Sequence, residues 1–174
     1  YFADCSGDNG DILNNNFNSQ INYEYIIHDI DNNSVYWVPD GHNLEITSSL
    51  QLGSNSNWLY IDGNWLHHGG DLTSSIYAGE GESISGYGSI NGRLSSNSNE
   101  QAITWNLIES GEYTVPYDKQ LVILSLRDIP LEGTQYISIN NIEIVYGDNT
   151  APIYVNPAQI VSGSGIFNGY LQNI

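Results

Sequence analysis

The chain is nearly devoid of positive charge: Arg93, Lys119 and Arg127 stand against 20 Asp and Glu in 174 residues, a formal net charge of −17. Binding a polyanion relies on Lys and Arg that release its counterions, so nucleic acid is excluded as a partner. The single cysteine, Cys5, cannot close an intrachain disulfide, which excludes a disulfide-stapled scaffold and leaves a free thiol, an intermolecular bridge or a modified residue. Met is absent and Pro numbers only 5. No apolar run approaches the roughly 18 residues that a membrane-spanning helix needs. Paired cysteines, a Gly-x-Ser-x-Gly elbow, a His-Glu-x-x-His pair and a phosphate loop are all missing, so no enzyme class declares itself and a non-enzymatic role is expected. Neither an initiator Met nor a signal peptide precedes Tyr1, which reads as the start of a processed chain or an excised domain.

What is present is turn-forming and strand-forming. Gly 18 and Tyr 13, with many Asn and Ser and charged residues at only 13%, predict an all-β chain with an uncharged polar surface and almost no helix. Such surfaces suit secreted proteins, and the excess of carboxylates suits divalent cations such as Ca²⁺.

The chain also says one thing twice. YWVPDGHNLEITSSL (Tyr36 to Leu50) returns as YTVPYDKQLVILSLR (Tyr113 to Arg127), and SIYAGEGESISGYGSINGRL (Ser75 to Leu94) returns as PIYVNPAQIVSGSGIFNGYL (Pro152 to Leu171), both 77 residues on. A fixed period is the signature of duplication. The positions kept in register are alternating apolar residues (Val38/Val115, Leu44/Leu121, Ile46/Ile123, Leu94/Leu171) and turn formers (Gly86/Gly163, Gly88/Gly165, Asn91/Asn168, Gly92/Gly169). They encode architecture, so a specific function is sought where the copies differ. The expected organisation is an arm or linker over 1–20 and two homologous β-sandwich units over 21–96 and 97–174.

Within a unit, 21–39 reads as two strands around the turn Asp31-Asn32-Asn33-Ser34, so each unit is expected to open with a hairpin; the second copy turns at Glu109-Ser110-Gly111. Asp62-Gly63 and Asn140-Asn141 sit where the apolar alternation changes phase, as two-residue type I′ turns require. A short strand, a Gly/Ser turn region and a closing strand follow, giving about six or seven strands per unit.

This order of Tyr-x-Val-Pro, turn, apolar strand, Ile-Asp/Asn-Gly/Asn hairpin, Ile-containing strand, Gly/Ser segment and closing Asn-Gly-x-Leu resembles small jelly-roll domains of secreted, cell-surface and phage-tail proteins of Bacteroidota-type bacteria. Asp40-Gly41-His42 and Tyr117-Asp118-Lys119 depart from the alanine-glycine-lysine-like turn of those domains. The resemblance implies two tandem jelly-roll-like units in an extracellular or cell-surface protein, a virion surface being a further setting, used for attachment or assembly.

The copies differ most in their aromatic residues. With Asp62-Gly63 as the turn, the expected pairs are Ile61 with Asn64, Tyr60 with Trp65, Leu59 with Leu66 and Trp58 with His67, which puts Leu59, Ile61 and Leu66 in the core. The opposite face then carries Trp58, Tyr60, Trp65 and His67, where the second copy has Tyr136, Ser138, Glu143 and Val145. Trp37 adds a further aromatic. Such a platform packs under the sister unit, contacts another subunit or stacks on a glycan.

Other constellations carry less. Asp29-x-Asp31-x-Asn33 fits part of an EF-hand loop and is the candidate calcium site, although Ser34 stands where that loop needs Gly. His67 and His68 point to opposite faces of a regular strand and cannot chelate one ion together. Asn32-Asn33-Ser34 is a glycosylation sequon at Asn32. In the arm, Ile12, Leu13 and Phe17 are spaced as anchors for a strand donated to a neighbouring subunit. The expected function is therefore an extracellular structural or adhesive subunit that self-assembles as a homo-oligomer or filament, possessing an adhesin-like surface, with a carbohydrate-binding module as the alternative.

Overall fold

A computed structural model describes residues 23–31, 34–50, 58–69, 72, 74–96, 99–127, 135–146 and 152–174. Strands β1 (Tyr23–Asp29), β2 (Tyr36–Trp37), β3 (His42–Leu50), β4 (Trp58–Ile61), β5 (Asn64–His68), β6 (Ile76–Ala78), β7 (Ser83–Tyr87) and β8 (Ser89–Ser96) build unit one. Unit two follows with β9 (Glu100–Asn106), one helical turn α1 (Leu107–Ser110), β10 (Tyr113–Thr114), β11 (Lys119–Arg127), β12 (Tyr136–Ile139), β13 (Ile142–Tyr146), β14 (Ile153–Val155), β15 (Ile160–Ser164) and β16 (Ile166–Asn173).

The strand orders make both units jelly rolls. Unit one has sheets β1-β8-β3-β6 and β2-β7-β4-β5; unit two has β9-β16-β11-β14 and β10-β15-β12-β13, which is the same order strand for strand. Each sheet is antiparallel, and apart from the β4–β5 and β12–β13 hairpins successive strands alternate between sheets. That closure of two four-stranded sheets by Greek-key crossings is the double-sheet jelly roll. Even the irregularities recur: a bulge falls at Thr47 between β3 and β8 and at Leu124 between β11 and β16.

Two expectations are corrected. Neither unit opens with a hairpin, because β1 pairs with β8 and β2 with β7, in different sheets. The turn residues are right but they build a corner: Ile30 N–H bonds to Gly88 O at 2.8 Å, as Leu107 N–H bonds to Gly165 O at 2.9 Å, which pulls the chain from one sheet to the other. In unit two the corner is α1, capped by Asn106, whose Oδ1 accepts from the N–H groups of Ile108 and Glu109. The Gly/Ser region is also a strand in each unit, β7 and β15, so there are eight strands and not six or seven.

The cores are in register as well. Ile30, Val38, Leu44, Ile46, Leu59, Ala78, Ile84, Ile90 and Leu94 fill unit one, and Leu107, Val115, Leu121, Ile123, Ile137, Val155, Val161, Phe167 and Leu171 fill the matching places in unit two. The predicted turns are made by Asp62 (φ 47°) with Gly63 (φ 77°) and Asn140 (φ 49°) with Asn141 (φ 65°), both residues left-handed as type I′ demands.

The units touch through unlike surfaces. Edge strand β6 of unit one lies on the outer face of β16 and β9 of unit two, where the fully buried Asn168 side chain accepts from Tyr77 N–H (2.8 Å) and donates to Tyr77 O (2.7 Å) and to Thr104 Oγ1 (2.9 Å). The rings of Tyr77 and Tyr170 meet at 5.1 Å. Beside them Arg127 Nε donates to Leu66 O at 2.9 Å, and Ile166 completes the core of unit one. An edge strand with unpaired backbone groups must be covered, and here a carboxamide stands in for the missing neighbour. Among the described residues no helix is long and apolar enough to cross a membrane.

Candidate functional site

The outer face of the β2-β7-β4-β5 sheet is aromatic. Cross-strand pairing lays out one row with Tyr87, Trp58 and His68, a second with Ser85, Tyr60 and Trp65, and a third with Trp37 beside Ser83. Trp37 is 63% exposed and Trp58 45%, so this face points to solvent and does not lie under the sister unit. The rings brace one another: Trp58 and His68 stack at 6.1 Å, and Trp65 meets His68 edge-on at 5.7 Å. Trp65 Nε1 is buried and has no hydrogen-bond partner among the described residues.

One member of the expected platform is misplaced. Trp58 pairs with His68 and Leu59 with His67, because Leu66 bulges out of the ladder between Leu59 and Tyr60. The extra residue shifts the alternation, so Leu66 and His67 are both buried and His68 takes the outward position. His67 Nδ1 lies 3.4 Å from Arg127 Nη2 at the contact between units. The homologous bulge at Ile144 has the opposite outcome: Val145 packs on the core, while Ile144 is 48% exposed rather than buried.

The second copy lacks the platform. Tyr136, Ser138 and Glu143 hold the corresponding positions, and a groove of about 390 Å³ runs there between α1 and the sheet, lined by Leu107, Glu112, Tyr136 and Ser138 among others. Unit two thus differs from unit one in surface more than in frame.

The remaining candidates are placed as follows. Asp29 Oδ1 accepts from Asp31 N–H at 3.0 Å, and Asp31 Oδ1 accepts from Gly88 N–H, so both carboxylates brace the β1–β2 corner. Asn33 and Asn32, like Ile12, Leu13, Phe17 and Cys5, lie outside the described residues. No three His, Cys, Asp or Glu side chains gather as a metal site among the described residues.

A second groove, also about 390 Å³, sits where the units meet and is lined by His42, Asn43, Glu80, Glu82, Glu100 and Gln101 among others. Sequence reasoning missed it because its residues come from both units. Burial lifts the Glu82 carboxyl above the usual range, opposed by the Gly79 N–H donated to Oε2 at 2.7 Å and reinforced by Asp62. Burial and then Glu45 lift Glu100, against the pull of Arg93, whose guanidinium is paired with Glu45 and lies 4.5 Å from the Tyr23 ring centroid. A carboxyl raised in the folded state holds its proton better there than in the unfolded chain, so its contribution is fully present below the unfolded value near ~4.3 and is lost as pH rises through the folded one. The net charge of −17 acts in the same sense. Thermal unfolding is therefore expected to occur at a higher temperature at pH 5 than at pH 8, and Glu82→Gln should flatten that slope; melting curves with no rise on acidification would contradict it.

No family model and no curated protein matches the chain. Among solved structures, the crystal structure of a conserved protein of unknown function from Pseudomonas aeruginosa PAO1 is similar over 87% of this chain and 83% of that chain, at 11% identity and a TM-score of 0.30. A likeness that slight carries no argument. What the fold and the face define is a class: an all-β protein of two tandem jelly rolls in which one unit carries an aromatic outer sheet.

Proposed function

We propose that the chain is a non-enzymatic structural or adhesive subunit of an extracellular, cell-surface or virion-surface assembly, and that it associates with copies of itself. The observation that supports this reading is the aromatic face of unit one. Trp and Tyr presented on a flat sheet give large contact area at small entropic cost, and few monomers leave such patches bare. The resemblance of the repeated motif to small attachment domains points the same way. Calcium held by surface carboxylates, and a strand donated from the arm through Ile12, Leu13 and Phe17, belong to the same proposal.

A second reading, carbohydrate binding, is favoured by one feature: the exposed indoles of Trp37 and Trp58 are flanked by uncharged Ser83, Ser85 and Tyr60, a setting in which a neutral sugar ring can stack and hydrogen-bond. Trp58→Ala separates the two, because the ring lies outside the core. Loss of a central Trp from an interface costs about 2 kcal/mol or more, so weakening of self-association by roughly 30-fold in mass photometry supports the structural subunit. Intact association with loss of glycan-array binding supports the sugar site. If neither changes, this face has neither role.

A further inference from the structure

The contact between the two units is heterologous, and among the described residues the chain carries an unused copy of each half of it. Unit one supplies an edge, β6 with Tyr77; unit two supplies a face, β16 and β9 with Asn168 and Thr104. By the shared register, the edge equivalent to β6 is β14, where Tyr154 pairs with Val122 as Tyr77 pairs with Glu45. Tyr77 turns its N–H and C=O away from its own sheet toward Asn168, so the same pairing aims those of Tyr154 outward. The face equivalent to β16 and β9 is β8 and β1, where Asn91 pairs with Ile27 as Asn168 pairs with Thr104.

Among the described residues, both second halves expose apolar side chains. Ile27 is 81% exposed, Tyr25 77% and Asn91 is exposed on the face; Tyr154 is 60% exposed on the edge, and Ile144 is 48% exposed on β13, the homologue of the Leu66 strand. Ile27 and Tyr25 occupy the places of Thr104 and Ala102 on the covered face, so at these two positions the open version is the more apolar. Arg93, held by Glu45 and the Tyr23 ring, occupies the place from which Tyr170 meets Tyr77 on the covered face.

We infer that a second copy of this chain docks there, laying β14 of one molecule across β8 and β1 of the next with Asn91 bonding the backbone of Tyr154. This rests on the reading that the chain self-associates, and it adds to the aromatic face a separate head-to-tail contact through which the association propagates. Since edge and face are on different units, each docked copy leaves one edge and one face free. The contact propagates as a filament, or as a ring where the repeated rotation closes.

The test is a pair of surface variants, Ile27→Glu and Tyr154→Glu, each altering an exposed side chain and so sparing the fold. Each alone should form no polymer at concentrations where the unaltered chain is polymeric by mass photometry and electron microscopy. Mixed in equal amounts they should pair one to one without polymerising, because Ile27→Glu retains a sound edge and Tyr154→Glu a sound face. Polymers that persist in both variants overturn this inference while leaving self-association standing; if they then vanish on deletion of residues 1–20, the donated arm is the connector. An unaltered chain that stays monomeric at every concentration overturns both.

Discussion

Gly169→Ala is expected to collapse unit two. Gly169 sits on β16 opposite Ile123 of β11, in the middle of the β9-β16-β11-β14 sheet. A Cβ there would stand 1.9 Å from Val122 O, 2.9 Å from Val122 C and 3.0 Å from Ile123 Cα, all backbone atoms that no rotamer change can move. Relief requires the two central strands to part, which breaks ladder hydrogen bonds and opens the core between Leu121 and Leu171. Disruption of that kind lies in the exceptional range of about 4–5 kcal/mol, against a total stability of about 5–15 kcal/mol for a domain. Gly41→Ala is the control. Gly41 has φ +72° but nothing within 4 Å of its Cβ position, so it should cost only about 1 kcal/mol. Urea unfolding compares them, and equal midpoints for the two variants would show that the close approach is tolerated.

That glycine also shows how far the sequence could be read. The repeated Gly92/Gly169 and Gly86/Gly163 were legible as repeated turn formers, yet they lie inside strands. Gly86 and Gly163 are there because the carbonyl oxygens of Trp58 and Tyr136 occupy the space a Cβ would take, 1.9 and 2.1 Å away. Their low β-propensity hid β7 and β15, whose existence is decided by the neighbouring strand rather than by their own residues. Alternation located the core, and in-register apolar pairs predicted two like units, because burial is a local property of each strand. Strand partners are not local. The 21–39 segment has a good turn between two strands, and nothing in it says that its halves belong to different sheets. The aromatic face was legible up to its bulge: one extra residue at Leu66 exchanged His67 for His68, and a strict period of 2 cannot register an insertion. Least legible was the meaning of Asn91/Asn168. A repeated Asn in a closing strand looks like a turn former in both copies, but one is exposed and the other is fully buried at the junction.

Removing that buried carboxamide is expected to uncouple the units. Asn168→Leu is close to isosteric and keeps the apolar bulk, but it leaves Tyr77 N–H and Tyr77 O without the partners they have at 2.8 and 2.7 Å, and Thr104 Oγ1 loses its donor. Leaving a buried donor or acceptor unsatisfied costs about 1–3 kcal/mol, so the loss should approach about 3–5 kcal/mol for the three groups together. Its location decides its form: the interior of each jelly roll is untouched, and what fails is the cover over the β6 edge. Calorimetry should therefore replace one cooperative transition by two, and hydrogen exchange should rise at Tyr77 before it rises at Leu44 or Ile123 in the two cores. Asn168→Asp should be worse than Asn168→Leu, because a carboxylate cannot donate to Tyr77 O and puts a charge in a fully buried site. Asn91→Leu, the same change at the homologous position, removes no side-chain hydrogen bond found among the described residues and should leave the stability of the dilute chain within about 0.5 kcal/mol of its starting value. Should Asn168→Leu and Asn91→Leu melt alike, the carboxamide is not what holds the two units together.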